Sequence, residues 1–161
     1  MDTSAQPVQA AVDAIQYHLG AFPAADCPVT HHFTPGLYAR EIFMPAGAIV
    51  VSRIHKTEHP HAMLAGRILV WTEDRGVVEL KAGHFGITQP GTRRVAYIAE
   101  DCRWVTFHAT TQTDLDKLQD ELTTTPDVTY VGESGAPVPE ILRKLSEAGR
   151  QLNDSQPEEM L

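Results

Sequence analysis

A chain of 161 residues, 42% of them hydrophobic, is long enough to bury the core of one ordinary globular domain. Thirteen Lys and Arg against twenty-one Asp and Glu leave a formal charge of −8, which repels a phosphate backbone and argues against a nucleic-acid partner. The longest apolar runs, such as Ala46 to Val51, fall far short of the roughly 20 residues a membrane helix needs, and no basic-then-apolar leader opens the chain. The expectation is a soluble, cytoplasmic protein with no membrane partner.

Met1 to Pro7 reads as a loose start, after which Val8, Val12, Ile15 and Leu19 recur at helical spacing and Gly20 offers a stop. Cys27 and Cys102 form neither a CxxC pair nor a disulfide framework; each reads as a small buried apolar residue in a reducing compartment. From Leu37 to Ala109 short runs rich in Val, Ile, Thr and aromatics alternate with Pro, Gly and charged turns, the pattern of an antiparallel sandwich or barrel. The predicted strands are Leu37–Met44, Ala48–His55, His59–Trp71, Val77–Leu80, His84–Thr88, Arg93–Ala99 and Arg103–His108, with a hairpin loop at Thr72 to Gly76.

After Thr110 the period becomes helical. Thr113 is positioned to cap a short helix carrying Leu115, Leu118 and Leu122, with Asp114 and Asp116 in its first turn. Thr123 to Val138 reads as a loop, with Val128 to Val131 a brief extended piece. Pro139 then opens a helix whose Ile141, Leu142, Leu145, Ala148 and Leu152 share one face, and Asn153 to Leu161 reads as a disordered tail. This divides the chain into an N-terminal helix and lead-in (1–36), a β-barrel (37–110) and a C-terminal helical extension (111–161).

The chemistry concentrates in His55-Lys56-Thr57-Glu58-His59-Pro60-His61. Residues four apart on a straight strand are about 13 Å apart at ~3.3 Å per residue, too far to share an ion whose ligand bonds are near 2 Å. A reversal at Lys56 to Glu58 removes that obstacle: His55 ends one strand, His59 begins the next, and both imidazoles look into one cavity. His61 has the same facing parity and is either a third ligand or a hydrogen-bonding support for the ligands. His108, on the closing strand with Trp104 and Thr106 on its face, is the other candidate ligand. Neutral imidazole suits Zn, Fe, Ni, Mn or Cu, so ligand type leaves the divalent transition metal open. Glu58 points away by parity, but it and His61 are the candidate general acid and base. The competing reading is a solvated histidine cluster with no ion. His84 is a weaker candidate, and His31 and His32, placed ahead of the first strand, weaker still.

Pro45-Ala46-Gly47 leading into this strand, its histidines, and Leu64-Ala65-Gly66 after them resemble the first motif of the cupin superfamily. Aligned on Leu64-Ala65-Gly66, the family's Glu falls on His59, its second His on His55 and its first His on Arg53. Gly83-His84 and Pro90-Gly91-Thr92-Arg93-Arg94 resemble the second motif, with His84 in place of the acidic residue and Arg94 in place of the last metal His. The resemblance covers about the central half of the chain. It implies an all-β core, a double-stranded β-helix or RmlC-like jelly-roll barrel, with an N-terminal helix and C-terminal helices packed outside. The His-Lys-Thr-Glu-His string is also similar to small uncharacterised cupin-like proteins of tailed phages.

The resemblance aims Arg94 into the barrel, where a guanidinium needs an anionic partner. That partner is either an anionic substrate or a carboxylate of the chain, Glu79 or Glu73. Arg53 joins Arg94 as a candidate substrate-binding residue, and Trp71 adds a stacking surface although its first role is core. Three functions follow: a metal-binding cupin acting on a small polar or anionic molecule by lyase, isomerase or dioxygenase chemistry; a non-catalytic binding or assembly module; and, ranked last, a metal-free isomerase or epimerase. A homodimer is the expected assembly.

Overall fold

The computed structural model describes residues 25–72, 75–124 and 140–154. The N-terminal helix expected around Val8 to Leu19, the extended piece at Val128 to Val131 and the tail beyond Asp154 lie outside them. The described strands are β1 (Val29–Thr34), β2 (Leu37–Met44), β3 (Ile49–Val51), β4 (Ile54–His55), β5 (His59–Thr72), β6 (Gly76–Lys81), β7 (Phe85–Thr88), β8 (Val95–Ala109) and β9 (Thr123–Thr124). The helices are α1 (Leu115–Leu122) and α2 (Glu140–Asp154). No described helix is long and apolar enough to cross a membrane.

Two long strands, β5 and β8, organise everything else, because each serves two faces of the barrel. The first half of β5 pairs with β7 and with the second half of β8, which in turn pairs with β2, and β2 with β1. The second half of β5 pairs with β6 and with the first half of β8, which pairs with β3. All these pairings are antiparallel, and the β5–β8 register shifts between Met63 and Ile68, where both strands turn the corner. Gly66 makes that corner possible. Its φ is +93°, and a Cβ there would fall against the Asp101 backbone carbonyl.

Met44 and Met63 from the first face meet Ile68, Val70, Ala96 and Ile98 from the second in one buried cluster, so the two faces close on each other as a jelly roll. The barrel is closed at its cavity end by α1, whose Leu118 and Leu122 pack on Tyr38. Outside the barrel, Leu145, Ala148 and Leu152 of α2 cover Leu69, Trp71, Val95 and Tyr97.

Several expectations are corrected. A strand, β1, precedes Leu37 and carries His31 and His32, which face Arg40 and Ala39 across the ladder. The run Ala48–His55 breaks at Ser52-Arg53, where Ser52 Oγ accepts from the Arg94 backbone N–H and the chain leaves β8 to pair with β9. The two closing strands are one, because Glu100-Asp101 stays in the ladder opposite Arg67 while Asp101 Oδ1 accepts from Ala46 N–H. Asp114, rather than Thr113, caps α1: its carboxylate accepts from the N–H groups of Asp116 and Lys117. The C-terminal helix runs through Asn153 to Asp154.

Candidate metal centre and its cavity

Alternation along β2 turns Tyr38, Arg40, Ile42 and Met44 inward, and alternation along the end of β8 does the same for Trp104, Thr106 and His108. These side chains, with Val50, Ile68, Val70 and Ala96, line a cavity of about 480 Å³. Its polar end holds His55, His59 and His108, whose ligand nitrogens lie within 4.8 Å of one another. The His59 and His108 rings are 4.5 Å apart between centroids, and His55 and His59 4.4 Å.

The expected reversal at Lys56 to Glu58 is present as a bend rather than a hairpin. His55 is held by the pairing of β4 with β9, while His59 enters β5 opposite Thr88. Lys56 N–H donates to the Leu122 carbonyl, which ties the bend to the end of α1.

Three observations fit the trio to a divalent transition ion. His59 places Nδ1 3.0 Å from the Thr57 carbonyl, which fixes the proton there and leaves Nε2 bare. His108 Nε2 is 2.9 Å from Thr106 Oγ1, while its buried Nδ1 has no hydrogen-bond partner. All three rings are held neutral. Burial pushes His55 down to about 4 and His108 to about 3, and the neighbouring histidines and Arg40 add to both shifts. Burial also lowers His59, partly opposed by its bond to Thr57. Three neutral imidazoles facing one point are a transition-metal donor set.

Arg94 lines the same cavity and donates from Nη1 to Thr88 Oγ1 at 3.3 Å. No carboxylate pairs with it among the described residues, and Glu79 is engaged by Arg67 at 3.3 Å and Lys81 at 3.8 Å. Arg53 is exposed at the cavity edge. Arg40 joins them from β2 with no carboxylate partner among the described residues, and burial lowers its pKa as it does that of Arg94. Arg40 was missed in the sequence, yet its signal was there: a charged residue on the inward parity of a strand whose bounds were predicted as observed.

Trp71, Glu58 and His61 do not reach this cavity, nor do the weaker candidates His84 and His32. Trp71 faces the other way on β5 and packs under α2, because the inward parity after the Gly66 corner belongs to Ile68 and Val70. Glu58 is exposed, receives a 3.4 Å bond from Gln89 Nε2 and does not line the cavity. His61 is 3% exposed but stands outside the trio: its ring stacks on Trp104, Nδ1 meets Thr88 Oγ1 at 2.8 Å, and Nε2 meets His84 Nε2 at 3.1 Å. Among the described residues Asp116 of α1 is the carboxylate that lines the cavity.

No family model and no curated protein matches the chain. Solved structures do. A cupin-2 domain containing protein from Shewanella frigidimarina is 12% identical, with 60% of this chain and 92% of that one covered and a TM-score of 0.42. An RmlC-like cupin family protein with a double-stranded β-helix fold from Methanocaldococcus jannaschii is 13% identical over 53% of this chain and 82% of its own, at a TM-score of 0.44. The cupin-2 domain of an XRE family transcriptional regulator from Enterobacter cloacae is 11% identical over 53% and 98%, also at 0.44. The structural neighbours are thus cupin-2 and RmlC-like double-stranded β-helix proteins. The jelly-roll fold of this chain is read from its own strand pairing, and kinship with tailed-phage proteins finds no support in these comparisons.

Proposed function

We propose that this chain is a cupin-type metalloprotein that holds a divalent transition ion on His55, His59 and His108 and takes a small anionic molecule into the adjoining cavity. The observation that carries the reading is the placement of three neutral imidazoles beside Arg94 and Arg40, two inward guanidiniums without a carboxylate partner among the described residues. A bound ion would supply Lewis acidity or redox capacity suited to lyase, isomerase or dioxygenase chemistry. The arginines would orient a carboxylate or phosphate group, and Ile42, Met44, Ile68 and Val70 would take an apolar portion. The cavity volume of about 480 Å³ suits a metabolite-sized molecule. Leu115 and Leu118 of α1 would shield it from water. For proton handling the cavity offers His31, 2.6 Å from the Tyr38 hydroxyl, and Asp116.

A non-catalytic binding or assembly module is the second reading, favoured by the outward turn of Glu58, which leaves Asp116 as the described carboxylate lining the cavity. The formal charge of −8 disfavours a nucleic-acid partner. A homodimer remains our proposal for the assembly, with the edge strand β1, exposed from Thr30 to Thr34, available for pairing. A cytoplasmic setting fits the two unpaired cysteines.

The test is metal analysis of protein purified without an affinity tag, repeated for His55→Ala and His108→Ala. Stoichiometric metal in the native chain and its loss in both variants is the expected result. Native protein that takes up no divalent transition ion, even when supplied in excess, overturns the reading.

A further inference from the structure

The pair His61 and His84 is absorbed by neither the trio nor the cavity. His61 enters from β5 and His84 from the turn before β7, and their Nε2 atoms approach to 3.1 Å. Two neutral imidazoles meet nitrogen to nitrogen only if one proton, or one cation, lies between their lone pairs. We propose that this pair is a second transition-metal site, separate from the trio, that takes an ion of the zinc, copper or nickel kind.

Three features support the assignment. Ligands about 2.0–2.1 Å from a tetrahedral ion stand roughly 3.3 Å from one another, close to the spacing already present here. The far nitrogen of His61, Nδ1, lies 2.8 Å from Thr88 Oγ1. A ligating histidine characteristically donates its other N–H to such an oxygen, which leaves Nε2 bare toward the ion. Arg94 donates to the same hydroxyl, so Thr88 is itself held in place.

The third feature is Gly86, which sits opposite His61 in the β5–β7 ladder. A Cβ at that position would lie 2.7 Å from His61 Nε2 and 3.3 Å from His84 Nε2. Glycine therefore lets the His61 ring lie over β7 with its Nε2 beside that of His84, on a strand where a side chain would ordinarily push the rings away. Trp104 forms the apolar wall, with ring centroids 4.6 Å from His61 and 6.2 Å from His84. His84 is only half-buried, so the remaining coordination positions open toward water. With two protein ligands, this site binds more weakly than the trio.

The experiment is calorimetric titration of the untagged, chelator-stripped full chain with Zn²⁺, with circular dichroism to check that each variant is folded. Native protein takes up two equivalents, one tight and one weaker. His84→Ala removes the weaker one and leaves the tight one, and Thr88→Val weakens it about 10-fold. Gly86→Ala abolishes it as well, but that change can disturb β7, so His84→Ala, on a half-buried turn, is the deciding variant. A single equivalent in native protein overturns the site. So does a second equivalent that survives His84→Ala, or one that disappears instead in His32→Ala, which would place it on the exposed His32–Glu41 pair. The trio is judged independently by the tight equivalent, which His108→Ala must remove.

Discussion

An imidazole offers a lone pair to a metal only while no proton holds it, and burial keeps His55, His59 and His108 in that state. The same burial makes the metal-free protein acid-sensitive. In the unfolded chain these rings take up protons near the ordinary histidine value of 6.5, whereas folded His55 waits until about 4 and folded His108 until about 3. Between those limits the unfolded state binds more protons, so stability is intact above about pH 6.5 and declines as pH falls toward 3. Thermal melts of the stripped protein from pH 7.5 to 3.5 are expected to trace this decline, and His108→Asn to flatten it; a slope unchanged by that variant would contradict the assigned environment. Arg94 gives a second test. Arg94→Met keeps much of the stem but removes the charge, so affinity for an anionic probe such as phosphate or succinate, followed by tryptophan fluorescence, should fall at least ~10-fold. Equal binding by both proteins would show that the cavity is not the anion site. At this scale the sequence was informative about residue type and strand parity, and less so about direction. His59 and His61 share a face of β5, yet the first looks into the cavity and the second across to His84, because Gly86 lets that ring lie over β7.

The corner in β5 and β8 is the element on which the cavity depends, since it folds Ile68, Val70 and Ala96 over the half of the ladder that carries His59 and His108. Gly66→Ala would force a side chain into a left-handed backbone position and against the Asp101 carbonyl. A loss of at least ~2 kcal/mol in urea denaturation is expected. A neutral result would mean that the corner is softer than its geometry implies. The bounds of β2 were legible because Leu37–Met44 lies between two sets of turn residues, Pro35-Gly36 and Pro45-Ala46-Gly47. The continuity of β8 was not, because Glu100-Asp101 reads as a turn when its partners are unknown. What keeps that segment extended is pairing with Arg67 and the bond from Ala46, both distant in sequence. For the same reason β9 was invisible: two threonines form a strand only because His55 and Ile54 are there to pair with.

For the whole molecule, an ion that binds the folded barrel and not the unfolded chain must stabilise it, by about 2.7 kcal/mol when free ion is at 100 times its Kd. Chelation should therefore lower the melting temperature of the native protein. His55→Ala should melt at the same temperature with and without chelator, apart from whatever the weaker His61–His84 site contributes. Much of this organisation follows from local pattern: turn residues at short intervals made the core an antiparallel sandwich or barrel, the resemblance of Pro45 to Gly66 to a cupin motif implied the jelly roll, and the histidine string pointed to an ion. That His108 rather than His61 clusters with His55 and His59, that Arg40 lines the cavity and that Trp71 and Glu58 do not reach it was decided by the closed barrel. Facing parity along one strand is a local property, set by the alternation of its own side chains. Which groups meet across a cavity depends on where strands far apart in sequence bend and pair, and here that is decided at the Gly66 corner and at the pairing of β4 with β9.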